Sequence, residues 1–185
     1  MSRLINAECR ATGGFDNIAY LANLDDITSV TRDAVTKIVT AITMVATKKF
    51  YKWVGRAASF DSTGEKASGQ RDFTQGLGLI LDLSSALDIW TFEQLCRAKK
   101  IVAVVLSNDD TYMVFGLGIT DTGLIRPGLS GLATDSASMN RTAELDGETG
   151  GVIRLTGVIG NIALIFSIPT GTIATNRAYL ETLVV

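Results

Sequence analysis

The stretch IVAVVLSNDDTYMVFGLG, residues 101–118, places two adjacent carboxylates between two apolar runs. A glycosidase needs two carboxylates on opposed elements, with the substrate between them. Asp109 and Asp110 are instead neighbours on one short connection, where their side chains are expected to point apart. Because Asn and Asp favour turns, the pair predicts a solvated hairpin turn rather than an active site. Asp25 and Asp26 have the same interpretation.

Two further motifs resemble ligand-binding loops. In ELDGETGG, Glu144, Asp146 and Glu148 alternate as calcium ligands do, but the closing bidentate glutamate of a calcium loop is missing. The Asp-Gly pair favours a hairpin turn, with weak cation binding as the alternative. The glycines of QGLGLIL and FGLGIT lack the third glycine and the Lys-Ser/Thr pair of a phosphate loop. They predict bulges or close backbone approach.

One segment interleaves basic and aromatic side chains, a combination that can bind single-stranded nucleic acid. Its members are Lys48, Lys49, Lys52 and Arg56 with Phe50, Tyr51 and Trp53. A strand with one apolar face and cationic edge residues that discourage aggregation is the interpretation we prefer. The formal net charge of -2 gives no electrostatic reason to expect nucleic acid as the main partner.

The chain of 185 residues contains no histidine and only two cysteines, Cys9 and Cys96. Histidine is the commonest general acid–base and metal ligand, so a serine or cysteine nucleophile would have no imidazole to activate it. The isolated cysteines predict neither a disulfide framework nor a zinc site. We therefore expect no enzyme activity, no cofactor and no metal, although lysine or carboxylate chemistry stays open.

The composition is 46% hydrophobic and 19% charged, which is more apolar than an average soluble domain. Such a chain can hide its extra apolar surface in a subunit interface. No apolar run reaches the roughly 18 residues that a membrane span needs, and the charged N-terminus is unlike a secretory signal. The expectation is a soluble, unexported protein with no membrane partner.

Short apolar runs predict a strand-rich chain with a single helix. The predicted strands are residues 18–22, KIVTAITMV, KKFYKWVGRAASF, DFTQGLGLILDL, IVAVVL, YMVFGLG, SMNRTAEL, GVIRLTGV and IALIFSI. The helix has Ser85 as its N-cap and places Ile89, Phe92 and Cys96 at helical spacing. The last piece, TNRAYLETLVV, predicts a short strand or a C-terminal arm.

The connections are too short for repeated βαβ crossovers, so the predicted fold class is mainly β. We expect an antiparallel β-barrel or sandwich with one flanking α-helix. The expected organisation is an N-terminal arm over residues 1–20 and a single β-rich domain over residues 21–185. The Gly-, Ser- and charge-rich DSTGEKASGQ, residues 61–70, predicts a mobile loop between two strands.

The order of these segments along the chain is similar to that of a known protein family. A polar loop (DSTGEKASGQ), an apolar strand (FTQGLGLILDL) and a helix (SSALDIWTFEQLCRAKK) precede two hairpins, IVAVVLSNDDTYMVFGLGIT and SMNRTAELDGETGGVIRLTGV. This order resembles the tail tube proteins of tailed bacteriophages and related contractile particles. It is similar in particular to virion tail proteins of phages that infect Bacteroidetes-type hosts. The resemblance covers residues 37–158 and rests on element order and turn composition.

The resemblance implies a tail-tube-like β-barrel or sandwich that assembles into hexameric rings, which stack into a hollow tube. Viral DNA would pass through the lumen without specific binding, and the other partners would be virion tail proteins. The location would be the virion tail, after assembly in the host bacterial cytoplasm. In that family sheet edges of neighbouring subunits join, and a long loop contacts the adjacent ring. The residues implied for this inter-ring contact are Asp61, Thr63, Glu65, Lys66, Gln70 and Arg71.

Two other classes of protein remain open at this point. Another ring-forming virion protein, such as a head–tail connector, tail terminator, baseplate or capsid decoration protein, has the same element types. A ligand-binding β-barrel of the lipocalin kind would keep an apolar cavity and stay monomeric or dimeric.

Overall fold

The computed structural model describes residues 15–67, 70–81, 86–107, 110–140 and 150–184. Within these ranges the protein has ten strands and two α-helices, so the predicted mainly β class is confirmed. The strands are β1 (Phe15–Asn23), β2 (Ile27–Arg32), β3 (Val39–Met44), β4 (Tyr51–Ala67), β5 (Gln70–Leu81), β6 (Ile101–Ser107), β7 (Tyr112–Phe115), β8 (Ala133–Asn140), β9 (Gly150–Ile159) and β10 (Leu164–Phe166). The helices are α1 (Ala86–Cys96) and α2 (Ile173–Thr182).

Hydrogen bonding joins the described strands in the order β2-β3-β10-β7-β6-β1-β4-β5-β9-β8. The pairs are antiparallel except β10–β3, which is parallel and short. The long β4–β5 hairpin links a seven-stranded mixed part, β2 to β4 in this order, to the three strands β5, β9 and β8. The terminal strands β2 and β8 do not pair with each other, so the described strands form no closed barrel. An isolated bridge joins Ile101, at the start of β6, to Leu132, just before β8.

Side chains of the central strands alternate between two hydrophobic cores. On β1, Ala19 and Leu21 enter the first core, whereas Tyr20 and Ala22 enter the second. The residues of β6 alternate in the same way, and six consecutive positions are buried. Because both faces of β6 are covered, its sequence IVAVVL is a continuous apolar run rather than an alternating one.

The predicted helix is confirmed as α1, which covers the first core. Phe92 and Leu95 are buried there, and Ile89 and Cys96 pack against them. The hydroxyl of Thr134 donates to the carbonyl of Leu95 at 2.9 Å and fixes the end of the helix to β8. The predicted N-cap residue lies outside the described residues.

The prediction of a short strand or arm at the end of the chain is wrong, because this segment forms α2. Thr172 caps the helix: its hydroxyl accepts from the Thr175 N–H at 3.3 Å, while the Thr175 hydroxyl accepts from the Thr172 N–H at 2.7 Å. This capping box uses threonine where glutamate or glutamine is usual, so the common sequence signature is absent. Leu180 on α2 is fully buried in the second core.

The predicted N-terminal arm, residues 1–20, extends too far along the chain. β1 begins at Phe15 and pairs with β4 on one side and β6 on the other, so residues 15–20 belong to the centre of the sheet. Residues 1–14 lie outside the described residues.

A long β-hairpin replaces the predicted loop over residues 61–70. β4 continues through Ala67, β5 begins at Gln70, and their backbones pair from Asp61 with Gly76 to Ala67 with Gln70. Backbone pairing needs no apolar side chains, so a polar ribbon of this kind has no hydrophobic periodicity to reveal it. Residues 68 and 69 lie outside the described residues.

A buried amide ties the middle of β5 to the segments that follow β7 and β9. Gln75 on β5 is fully buried; its Nε2 donates to the carbonyl of Asn161 at 2.7 Å and its Oε1 accepts from the Gly116 N–H at 2.9 Å. The predicted close approach at FGLG is confirmed, since a Cβ on Gly118 would lie 1.9 Å from the carbonyl oxygen of Leu129. Polar bonds and glycine contacts therefore fix the segments that follow β7 and β9.

Candidate functional site

The acidic pair that could have formed a catalytic site occupies a hairpin connection. Asp110 is exposed with φ 67°, and its N–H donates to the carbonyl of Ser107 at 3.0 Å. The Ser107 N–H donates to the carbonyl of Thr111 at 2.8 Å, which closes the turn. The turn prediction is confirmed for Asp110, whereas Asp109 lies outside the described residues.

The second acidic pair is also part of a turn. Asp25 and Asp26 lie in a short 3-10 turn that connects β1 to β2. Asp25 lies 3.5 Å from the ammonium of Lys100, and Asp26 lies 3.6 Å from that of Lys48. The pair of Asp25 with Lys100 is exposed and that of Asp26 with Lys48 is partly exposed, so each contributes little stability.

The substitution Asp110→Asn is expected to leave the free energy of unfolding within about 0.5 kcal/mol of the parent value, because Asn also tolerates the left-handed conformation. Chemical denaturation measures this change. A loss of several kcal/mol, or a loss of assembly with the fold intact, would show that the carboxylate has a role that a turn does not give it.

The described residues offer no metal centre. No group of three or more His, Cys, Asp or Glu side chains in them is placed to hold a metal ion. The alternating acids Glu144, Asp146 and Glu148 lie outside the described residues. Burial, with the nearby Glu93 carboxylate, raises the pKa of the Cys96 thiol, which disfavours the nucleophilic thiolate.

The basic and aromatic segment packs into both cores. Phe50 is fully buried in the second core, whereas Trp53 lies in the first. The prediction of a strand is confirmed from Tyr51 onwards, whereas Phe50 lies just before β4 and forms an isolated bridge with Val184. Lys52 pairs with Glu181 of α2 at 2.6 Å.

Glu181 clamps α2 to the sheet through two donors. Its Oε1 accepts from the Tyr20 hydroxyl at 2.9 Å and from Lys52 Nζ at 2.6 Å. The hydrogen bonds from Lys52 and Tyr20 lower the pKa of Glu181. Burial, and the hydrogen bond to Glu181, raise the pKa of the Tyr20 phenol. The ionised carboxylate and the neutral phenol are thus the states that the fold favours.

Stability is expected to fall at both ends of the pH range. The lowered pKa of Glu181 gives a contribution that is present above the ordinary carboxyl range and is lost as the pH falls through about 5 to 3. The raised pKa of Tyr20 gives a contribution that is present below about pH 10 and is lost as the pH rises further. Glu181→Gln should cost about 1 kcal/mol or less at pH 7, since the pair is partly exposed. It should also flatten the acid side of the stability curve.

Urea denaturation of Glu181→Gln between pH 3 and pH 7 measures this effect. Glu93→Gln is the matched control, because Glu93 forms an exposed i,i+4 pair with Arg97. If the free energy of unfolding of Glu181→Gln decreased towards low pH as steeply as that of the parent, the contribution assigned to Glu181 would be contradicted.

Among the described residues, the edge of β8 is open over most of its length. Thr134 is bonded to α1, but residues 135–139 are exposed and, of the described strands, pair only with β9. Unpaired strand edges present rows of free N–H and C=O groups that can pair with another chain. This edge can therefore accept a strand from a second molecule.

The edge of β2, at the other end of the order, is partly covered. Gly123 lies so close to this strand that a Cβ there would be 2.6 Å from the carbonyl oxygen of Val30. Arg32 at the end of β2 also pairs with Asp121 at 3.7 Å. The segment around Gly123 thus shields β2, and the two terminal strands are not equivalent.

Within the described part of the chain, a second open edge belongs to the long hairpin. β4 pairs with β1 only as far as Ala58, opposite Phe15, and no described strand pairs with this edge from residue 59 to residue 67. β5 pairs with β9 only from Phe73 onwards, so the ribbon beyond Phe73 is two-stranded. An isolated two-stranded ribbon is only marginally stable in water, which favours a partner for it in an assembly.

The residues implied for the inter-ring contact all lie on the long β4–β5 hairpin. Four of them lie on its two-stranded end, where the backbone register pairs Lys66 with Arg71, Glu65 with Asp72 and Gln70 with Ala67. The other two, Asp61 and Thr63, lie opposite the part of β5 that also pairs with β9. All six therefore lie on one projecting hairpin, in a segment whose composition predicts a loop.

Comparisons with protein-family models, with curated proteins and with solved structures found no match for this chain. None of the described helices has the length and apolar character to cross a membrane.

Proposed function

We propose that this protein is a structural subunit of a bacteriophage virion, namely the tail tube protein. The observation that carries the proposal is a pair of different strand edges, on β8 and on the outer part of β4, that no other described strand covers. Contacts between two different edges are heterologous, so they generate a ring when the rotation closes. The resemblance of the element order to tail tube proteins supplies the ring size of six and the stacking of rings.

The barrel expected for such a subunit is supported by the first core. Strands β6, β1, β4, β5, β9 and β8 follow one another in the sheet order, and all but β8 contribute side chains to this core. Leu132 and Ile101 exchange two backbone hydrogen bonds of 2.7 and 2.8 Å where β8 approaches β6. We propose that these strands form a partly open barrel in the subunit, with α1 flanking it and the β8 edge free beyond the bridge at Leu132.

The projecting hairpin is proposed to contact the adjacent ring, through Asp61, Thr63, Glu65, Lys66, Gln70 and Arg71. Its mixed charges suit a specific polar contact, and its two-stranded tip gains stability when covered. The weakly acidic chain suits a lumen through which DNA slides without binding. In this proposal the protein has no catalytic role and resides in the virion tail.

Other ring-forming virion proteins share these features. The number of rings in the assembly, and whether the rings stack, distinguish these proteins from a tube protein. A connector or terminator forms a single ring, whereas a tube protein forms rings that stack.

The edge claim is tested by Ala137→Lys, which places a cation on the exposed edge strand β8. Light scattering of the parent protein should show a mass that rises with concentration towards a closed ring. Ala137→Lys should remain monomeric, while the matched variant Ala174→Lys, at an exposed position of α2, should assemble like the parent. Equal assembly of both variants would overturn the role of the β8 edge.

A further inference from the structure

We propose that a cleft between α1 and the start of β4 binds an uncharged saccharide, independently of ring assembly. The cleft has a volume of about 450 Å³, within the ~300–1,000 Å³ range of small-molecule sites. Its lining combines Tyr51 of β4, Trp90 of α1 and Trp53 with polar side chains from the ends of β1 and α1.

Two aromatic side chains that line the cleft are exposed, and other large apolar side chains fill the two cores. Tyr51 is 58% exposed and Trp90 is 57% exposed. Phe92 and Leu95 already anchor α1 in the first core, so Trp90 is not needed to hold the helix. Exposed Trp and Tyr rings provide a large rigid contact area with a polar tip, and such side chains are enriched in binding sites.

Trp53 supplies a donor that nothing in the described part of the chain uses. This residue is only 9% exposed, and its indole Nε1 is buried without a hydrogen-bond partner. Buried polar groups are nearly always paired, and an exception calls for a physical reason. Because Trp53 lines the cleft, a ligand that displaced the side chains covering its indole Nε1 would supply the missing acceptor.

The polar lining selects the class of ligand. Asn23 and Gln94 place amide groups in the lining, the Asn23 Nδ2 also donating to Asp26 at 3.3 Å, and the lining contains no carboxylate. Arg97, the cation of the lining, pairs with Glu93, and the nearby Lys100 pairs with Asp25. A phosphate-bearing ligand would therefore gain little, whereas a sugar ring can lay its C–H face on an aromatic ring and bond its hydroxyls to the amides.

The chain contains two tryptophans, and both line this cleft, so its intrinsic fluorescence reports directly on occupancy. The probes are cellotetraose, maltotetraose and chitotetraose, titrated into the full-length protein. We expect a saturable change in tryptophan emission with at least one of them. By calorimetry, Trp90→Ala should bind that saccharide at least about tenfold more weakly. Ile162→Ala, another exposed apolar position outside the lining, should bind it like the parent.

Several results would overturn the proposal. The proposal fails if none of the three saccharides binds. It also fails if Trp90→Ala binds the saccharide with the affinity of the parent and has the same melting temperature. Alternatively, a proline-rich peptide or an oligo(dT) strand binds in their place. An emission change that depends on protein concentration alone would show that a second copy fills the cleft. The light-scattering test of assembly is read separately and is unaffected by any of these outcomes.

Discussion

The substitution Gln75→Leu is expected to lower the free energy of unfolding by about 2–5 kcal/mol. The change introduces an apolar side chain of similar size and removes both hydrogen-bonding ends of the buried amide. The buried Gly116 N–H and the half-buried Asn161 carbonyl then lose their partners. For a chain of this length the melting temperature should fall by about 5–15 °C.

Urea denaturation at low protein concentration measures this loss without a contribution from assembly. Thr74→Leu is the control, because Thr74 precedes Gln75 on β5 and is exposed. Its effect should stay within about 0.5 kcal/mol. A Gln75→Leu protein as stable as the control would show that the amide bonds do not hold β5 to the segments that follow β7 and β9.

Shortening the projecting hairpin is expected to abolish stacking of rings while leaving the rings themselves intact. Because Glu65 pairs with Asp72, residues 66–71 can be replaced by Asn-Gly, a pair that favours tight hairpin turns. The variant loses Lys66, Gln70 and Arg71 but keeps the part of β5 that pairs with β9. Electron microscopy should show single rings and a large loss of tubes.

Ser68→Asn is the matched control, since it introduces Asn-Gly without changing the length of the hairpin. It should form tubes like the parent. If the shortened protein forms tubes as readily as the control, the hairpin tip makes no essential contact between rings.

The strands with period-two alternation or continuous apolar runs were predictable from sequence. β3, β6, β7 and α1 follow directly from β-branched runs and from helical spacing, because burial on one or both faces leaves a clear pattern. The partition of β6 between two cores was not predictable, since a continuous apolar run does not specify what covers each face.

Failures of prediction have local physical causes. α2 has a capping box made of two threonines, and only a few of its residues are buried, so its sequence lacks the usual helix signals. The outer β4–β5 ribbon depends on backbone pairing between polar residues, which composition alone assigns to a loop. Trp90 and Tyr51 look like ordinary core residues in sequence, and only the fold shows that they are exposed on one cleft.

The central claim, that this chain is a ring-forming subunit, is tested most directly by negative-stain electron microscopy of the purified protein across a range of concentrations. The account predicts closed rings, with six subunits each, that stack into hollow tubes at high concentration. A homogeneous monomer at every concentration would contradict it. So would a dimer in which two β8 edges pair with each other, because that contact closes on itself and leaves no edge for a ring.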